Sequence, residues 1–341
     1  MTSKNGLFLL ICFCFLSLSI SVSLALAHAP LGTGDNESID TATFIPDPTK
    51  SWAIYAELHE GGEAQYYGFN ITAGKRIHVM LYKSMRPEES DFLPGFVLMG
   101  PSLSDQGTVP DYVEKPAGVN ASVVEGNQPA QGTYEPFSPG TFYSLGELQI
   151  DAPSSGTYYV AVYEQDMGGH YGLAVGDLET YGIDEWVLIP LSLLGVYQWE
   201  GQSLALVLAP MIATVAVGAV LVGWQLKKRG ALGKVTIWLG VLAGLLFIGS
   251  GVIILFQMIY SIMLTAFSSE VVITLVFALI PIVLGLATIV LSLRGTEKLS
   301  VKKRIFFVIL GVVALFMWAG LFVGPALAIV VGIMPLSSKK K

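Results

Sequence analysis

Cysteine is almost absent. The 341-residue chain has two, Cys12 and Cys14, and both lie in the apolar stretch at its N-terminus. A mature chain without that stretch has no disulfide, no thiolate metal site and no cysteine nucleophile. Charge is scarce as well, at 13% of residues, against about 25% in ordinary soluble domains. With 53% hydrophobic residues and a mean hydropathy of +0.62, a single soluble domain, a disordered chain and a collagen-like repeat are all excluded. Histidine occurs four times, at His28, His59, His78 and His170, and never after them. Acids nearly vanish from the second half, where only Glu270 and Glu297 occur after residue 200. An ion or proton path built from buried titratable groups therefore has little to work with, which counts against a channel or transporter subunit. A G-x-S-x-G elbow, an H-E-x-x-H zinc motif, a P-loop and a dinucleotide fingerprint are all lacking, so no enzyme activity is indicated.

What is present is sharply divided. Residues 28–200 hold 24 of the 26 acids and six of the 19 bases; residues 201–341 hold two acids and 12 bases. An acidic block of this kind repels phosphates, which excludes a nucleic-acid partner. Lys4, the apolar run Leu7–Leu26 and the small-x-small triplet Ala25-Leu26-Ala27 have the form of a signal peptide over 1–27. Cleavage there makes His28 the first mature residue and exports the acidic block.

After residue 203 come four apolar runs, predicted as transmembrane helices at about 204–226, 235–260, 271–293 and 305–330 of a membrane region 204–336, with a basic tail at 337–341. Lys227, Lys228, Arg229 and Lys234 separate the first two; Arg294, Lys302, Lys303 and Arg304 separate the last two. Basic connections belong inside, so the acidic block faces outside. Trp186, Tyr197 and Trp199, in an interfacial segment 186–203, and Trp224 and Trp238, beside the first inner connection, are expected to anchor at the bilayer surface. The last run, Ile305–Leu336, has 32 residues. Two crossings of 16 residues reach only about 24 Å each. One helix, kinked at Gly324-Pro325, is therefore expected, which leaves the tail outside. Gly240/Gly244 and Gly320/Gly324 are GxxxG pairs that permit close helix packing, within the bundle or between copies of the chain.

Residues 28–185 read as an all-β domain. Arg76–Tyr82 opens with strand-type alternation, Gly156–Tyr163 is rich in aromatic and β-branched residues, and glycine and proline punctuate the segments. The fold class expected is an all-β extracytoplasmic sandwich joined to an α-helical transmembrane bundle of four helices. Ala64–Ile77 (AQYYGFNITAGKRI), with Ser155–Val162 (SGTYYVAV) and Gly169–Val175 (GHYGLAV), resembles the opening and closing hairpins of the pre-peptidase C-terminal domain family, across about 52–176 with a long insertion. The resemblance implies a jelly-roll-like sandwich of the kind that accompanies secreted hydrolases as a binding or targeting module. Here no protease follows it.

Three sets of site residues stand out. A mature N-terminal His28 offers an amine and an imidazole to Cu(II); His59, His78 or His170 could supply the second imidazole, and Met80, Met99 or Met167 could add sulfur; the plain alternative is a frayed terminus and solvated histidines. Loop acids at Asp35, Glu37 and Asp40, with Asn36, and at Glu88, Glu89 and Asp91, offer oxygen to Ca²⁺, or simply solvate the surface. Asn36, Asn70 and Asn120 are in glycosylation sequons. The functional expectation is a cell-surface integral membrane protein, in contact with the lipid bilayer, that presents a non-enzymatic binding, sensory or assembly module to an unknown extracellular ligand. Since the inner connections are short, it needs a membrane-protein partner or a second copy of itself.

Overall fold

The computed structural model describes residues 29–230, 232, 234–294 and 300–334. The signal segment 1–27, His28 and the tail 337–341 lie outside the described residues.

The N-terminal part folds as two sheets. One has the order β1 (Ala29–Pro30), β3 (Trp52–Leu58), β11 (Gly169–Val175), β5 (Arg76–Ser84), β9 (Gly140–Asp151), β8 (Thr133–Glu135). The other has the order β2 (Thr43–Phe44), β4 (Ala64–Ile71), β10 (Gly156–Tyr163), β6 (Gly95–Gly100), β7 (Asn120–Val124). Period-two alternation decides which side chains meet between them. In β10, Tyr158, Val160 and Val162 enter the shared core with Ile77, Val79 and Leu81 of β5 and Tyr171, Leu173 and Val175 of β11. Ala161 and Tyr163 turn the other way, into a second cluster under the loop carrying Val113. Lys83, on the core side of β5, is buried, and its ammonium donates all three hydrogen bonds to backbone carbonyls, those of Glu89, Ser90 and Phe92, at 2.6–3.1 Å. It ties the 89–92 loop to the sheet, and burial pulls its pKa below the ordinary lysine value.

Six helices follow: α1 (Ile183–Trp199), α2 (Leu204–Lys228), α3 (Val235–Leu264), α4 (Val271–Leu293), α5 (Val301–Phe316) and α6 (Val323–Ile333). Of these, α2, α3 and α4 are long and apolar enough to cross a membrane. Glycine sets the closest approach: a Cβ on Gly244 would come within 2.7 Å of the Gly285 carbonyl oxygen, so α3 and α4 pack backbone to backbone. Gly240 faces Ser292 and Phe307, and Gly320 and Gly324 both lie on the ring of Phe247. Both GxxxG pairs are thus occupied within the bundle.

The fourth apolar run differs from expectation. It is two antiparallel helices, α5 and α6, rather than one kinked helix over 305–330. Arg304 Nε donates to the Gly332 carbonyl at 2.8 Å, so the end of α6 returns beside the start of α5. The chain reverses at 317–322, where Trp318, Gly320, Leu321 and Phe322 all have positive φ. Gly324-Pro325 marks the first turn of α6, where proline is tolerated. At 16 and 11 residues, the two helices extend about 24 and 17 Å, so the hairpin stops short of a full crossing. The basic residues between α2 and α3, those around the start of α5, and the end of α6 therefore share one end of the bundle. The β-domain sits at the other: Tyr134 of β8 bonds Thr274 near the start of α4 at 2.6 Å, and Gln202 pairs with Gln257 near the end of α3.

Candidate functional site

The β-domain and the helices meet through α1. Its last turn closes as a Schellman motif, in which Gln202 N–H reaches the Tyr197 carbonyl and Gly201 N–H the Gln198 carbonyl, with Gly201 at φ +91°. Arg86 donates to the carbonyls of Gln198 and Trp199, both at 2.8 Å, where the negative end of the helix favours a cation. Trp199 then lies on the outer face of the six-stranded sheet, 5.1 Å from Tyr55 and 5.9 Å from Tyr82 between ring centroids. Its indole N–H points at the carbonyls of Tyr171 and Ala56. Gly172 makes this possible, because any Cβ there would collide with the Tyr82 ring at 2.0 Å.

Between this face and α1 is a cavity of about 80 Å³, against the 10–15 Å³ that admits one water. Two carboxyls line it. Glu135, at the end of β8, accepts from Phe137 N–H at 2.9 Å. Glu200, just past α1, accepts from Thr141 N–H at 3.1 Å and from Gln202 at 3.3 Å. Gly140 leaves room for the second, since a Cβ there would meet Glu200 Oε1 at 2.4 Å. No lysine, arginine or histidine is among the lining residues. Burial without a counter-charge pushes the Glu135 carboxyl up to about 7 and the Glu200 carboxyl up to about 8.

Beyond the cavity, Phe137 enters a cluster at the tip of the α5–α6 hairpin. It packs 5.1 Å from Trp318 and 5.3 Å from Phe277, and Trp186 lies 4.6 Å from Trp318, between ring centroids. The two indoles bond crosswise: Trp186 donates to the Phe316 carbonyl at 2.9 Å and Trp318 to the Trp186 carbonyl at 2.8 Å. Below them, Gly320 N–H donates to Ser250 of α3 at 2.7 Å.

The other residues singled out in the sequence are placed as follows. His28 lies outside the described residues. His78 and His170 are at opposite ends of the β5–β11 pair, where Val175 faces Val79 and Tyr171 faces Lys83. At ~3.4 Å per residue the two are about 20 Å apart, so they cannot share one ion. His78 sits between Asp177 and Glu147, and His170 between Glu89 and Glu57. Met167 packs against the core. One metal-type group does converge among the described residues, Glu37, His59 and Glu63, and it is largely exposed. Of the loop residues considered for calcium, Asn36 is buried and bonds the Tyr66 carbonyl, and Glu89 is held by Arg86 and His170. A glycan on Asn36 is incompatible with that burial. Asn70 is exposed, and Asn120 donates to the Leu103 carbonyl. Tyr197 and Trp199 are buried at the junction rather than set in a bilayer surface. Trp224 is 60% exposed, with Lys228 3.5 Å above its ring. Trp238 is half-buried and bonds the Leu232 carbonyl.

Sequence reasoning did not single out Glu135, Glu200 or Phe137 as site residues. Their only local signal was a Tyr-Glu-Pro-Phe turn and an acid beside Trp199. No protein-family model matches the chain, and no curated protein matches it.

Proposed function

We propose that this is a multi-pass protein of the cell membrane that holds its acidic β-domain outside the cytoplasm as a non-enzymatic binding and sensory module, and passes the state of that domain to the helices through α1. One observation carries the reading: the β8–β9 turn and α1 together grip the reversal at 317–322. Non-glycine residues in the left-handed region cost about 1 kcal/mol or more each and persist only where the surroundings hold them. Trp318, Leu321 and Phe322 are three such residues. Phe137 from the β-domain and Trp186 from α1 pack on Trp318, the first of them. A change in how the domain sits on α1 therefore acts first on the least relaxed backbone in the bundle.

The charge division supports the orientation, since every basic helix end described lies opposite the acidic sheets. The resemblance to pre-peptidase C-terminal domains supports a binding role, and its opening and closing segments are neighbours, with Gly156–Tyr163 paired along Ala64–Ile71. The test is Phe137→Ala in the intact protein, read by hydrogen exchange. Exchange at 317–322 rises while the middle of α3 stays protected. If 317–322 is unchanged, the domain does not grip the hairpin and the coupling reading fails.

A further inference from the structure

We infer that the cavity under α1, lined by the carboxyls of Glu135 and Glu200 and the rings of Tyr55, Tyr82, Phe142 and Trp199, is a binding site for a small organic cation, an alkylammonium or quaternary ammonium group. The inference rests on the junction reading and names the chemistry to which that junction responds.

Four observations converge on it. The cavity has room for several water-sized groups, which is the scale of a compact ammonium ion. Both carboxyls lining it ionise to the same sign, and none of the lining residues supplies the opposite charge. A bound cation supplies the counter-charge that these two half-buried carboxyls, held only by N–H donors, lack. The walls are aromatic: Tyr82 lies 5.2 Å from Phe142, 6.1 Å from Tyr55 and 5.9 Å from Trp199, between ring centroids. Ring faces attract desolvated ammonium groups, and aromatic cages are a recurrent way of holding them. Finally, the surrounding domain is strongly acidic, so its field gathers cations near the mouth.

A metal ion suits the same place poorly. Calcium takes six to eight oxygens, whereas here two carboxyls already accept backbone N–H groups and most of the remaining wall is carbon. The site lies between the sheet and α1, so an occupant touches the domain through Tyr55, Tyr82 and Phe142 and the helix through Trp199. Filling it sets the spacing between the two and hence the grip on the hairpin.

The experiment uses the full chain in lipid nanodiscs, titrated with tetramethylammonium chloride at constant ionic strength and followed by calorimetry and tryptophan fluorescence. Saturable binding is expected. Glu135→Gln and Glu200→Gln each weaken it by about tenfold or more, and Glu88→Gln, on an exposed loop, does not change it. Phe142→Leu, which keeps both charges and removes one ring, weakens it by severalfold. This variant decides the matter if a glutamate variant fails to fold. The inference is overturned by a wild-type titration that does not saturate, by affinity unchanged in the variants, or by calcium binding through these residues in place of the organic cation. None of these results touches the grip on 317–322, which hydrogen exchange reads with no ligand present.

Discussion

Glu200→Gln isolates the electrostatics of the junction. With the β-domain docked, the Glu200 carboxyl is raised from its ordinary 4.5 to about 8; once undocked, it is solvated and returns to the ordinary value. A carboxyl raised by docking contributes stability that is complete below about pH 4.5 and is lost as the pH climbs through 8. Linkage puts the loss between pH 5 and 7.5 at about 3 kcal/mol, roughly two decades in the docking equilibrium. Glu135, raised to about 7, acts in the same direction and adds about 2 kcal/mol over that range. The amide of glutamine keeps the shape and an acceptor for Thr141 N–H but cannot ionise. Docking is measured in the intact protein by hydrogen exchange of the 133–145 and 196–203 segments, corrected for the intrinsic pH dependence of exchange. The wild-type opening free energy should fall by about 5 kcal/mol from pH 5 to 7.5, and that of Glu200→Gln by about 2. Equal slopes in the two proteins, or wild-type docking that strengthens as the pH rises, would refute the reasoning.

Three further outcomes follow from the same structure. Lys83→Met strands two buried carbonyls, those of Glu89 and Phe92, and a part-buried one, that of Ser90, and chemical unfolding of the β-domain should show a loss of about 3 kcal/mol or more. Gly244→Val pushes a side chain into the Gly285 backbone and should lower the thermal midpoint of the bundle, with an overpacking penalty of about 1–3 kcal/mol; Gly195→Ala, at an α1 position with open space around it, should leave that midpoint in place. Cation affinity should be greater at pH 8.5 than at pH 5.5, because the ion binds the ionised forms of Glu135 and Glu200; calorimetry at the two pH values reads this directly.

The strands of the β-domain and the three long helices were legible because each rests on a local pattern: alternation in Arg76–Tyr82, aromatic density in Gly156–Tyr163, and apolar runs bounded by Lys227–Arg229 and Arg294. The hairpin was not. Its length was visible, but the reversal at 317–322 falls in Met-Trp-Ala-Gly-Leu-Phe, with a single glycine and no proline. It exists because Ser250, Trp186 and Phe137, far away in sequence, satisfy and cover it. The cavity was illegible for the same reason. Glu135 and Glu200 are 65 positions apart and line one cavity only because a sheet, a Schellman turn and Gly140 bring them under α1. The distance between His78 and His170 follows from strand register, which no spacing in the sequence reveals for strands paired through a sheet. Tyr197 and Trp199 looked like bilayer anchors because a tryptophan at the end of a helix has the same local pattern whether lipid or another domain covers it.

Coupling through α1 requires the β-domain and the basic helix ends to face opposite sides of the membrane. Single cysteines, placed in turn at Asp105 in the β-domain, at Leu232 between α2 and α3, and at Ile333 at the end of α6, settle this in a background lacking Cys12 and Cys14. Intact cells are treated with a membrane-impermeant maleimide. The proposed orientation predicts labelling at position 105 alone, with positions 232 and 333 reacting only after permeabilisation. Labelling at 232 or 333 in intact cells, with 105 protected, would contradict it.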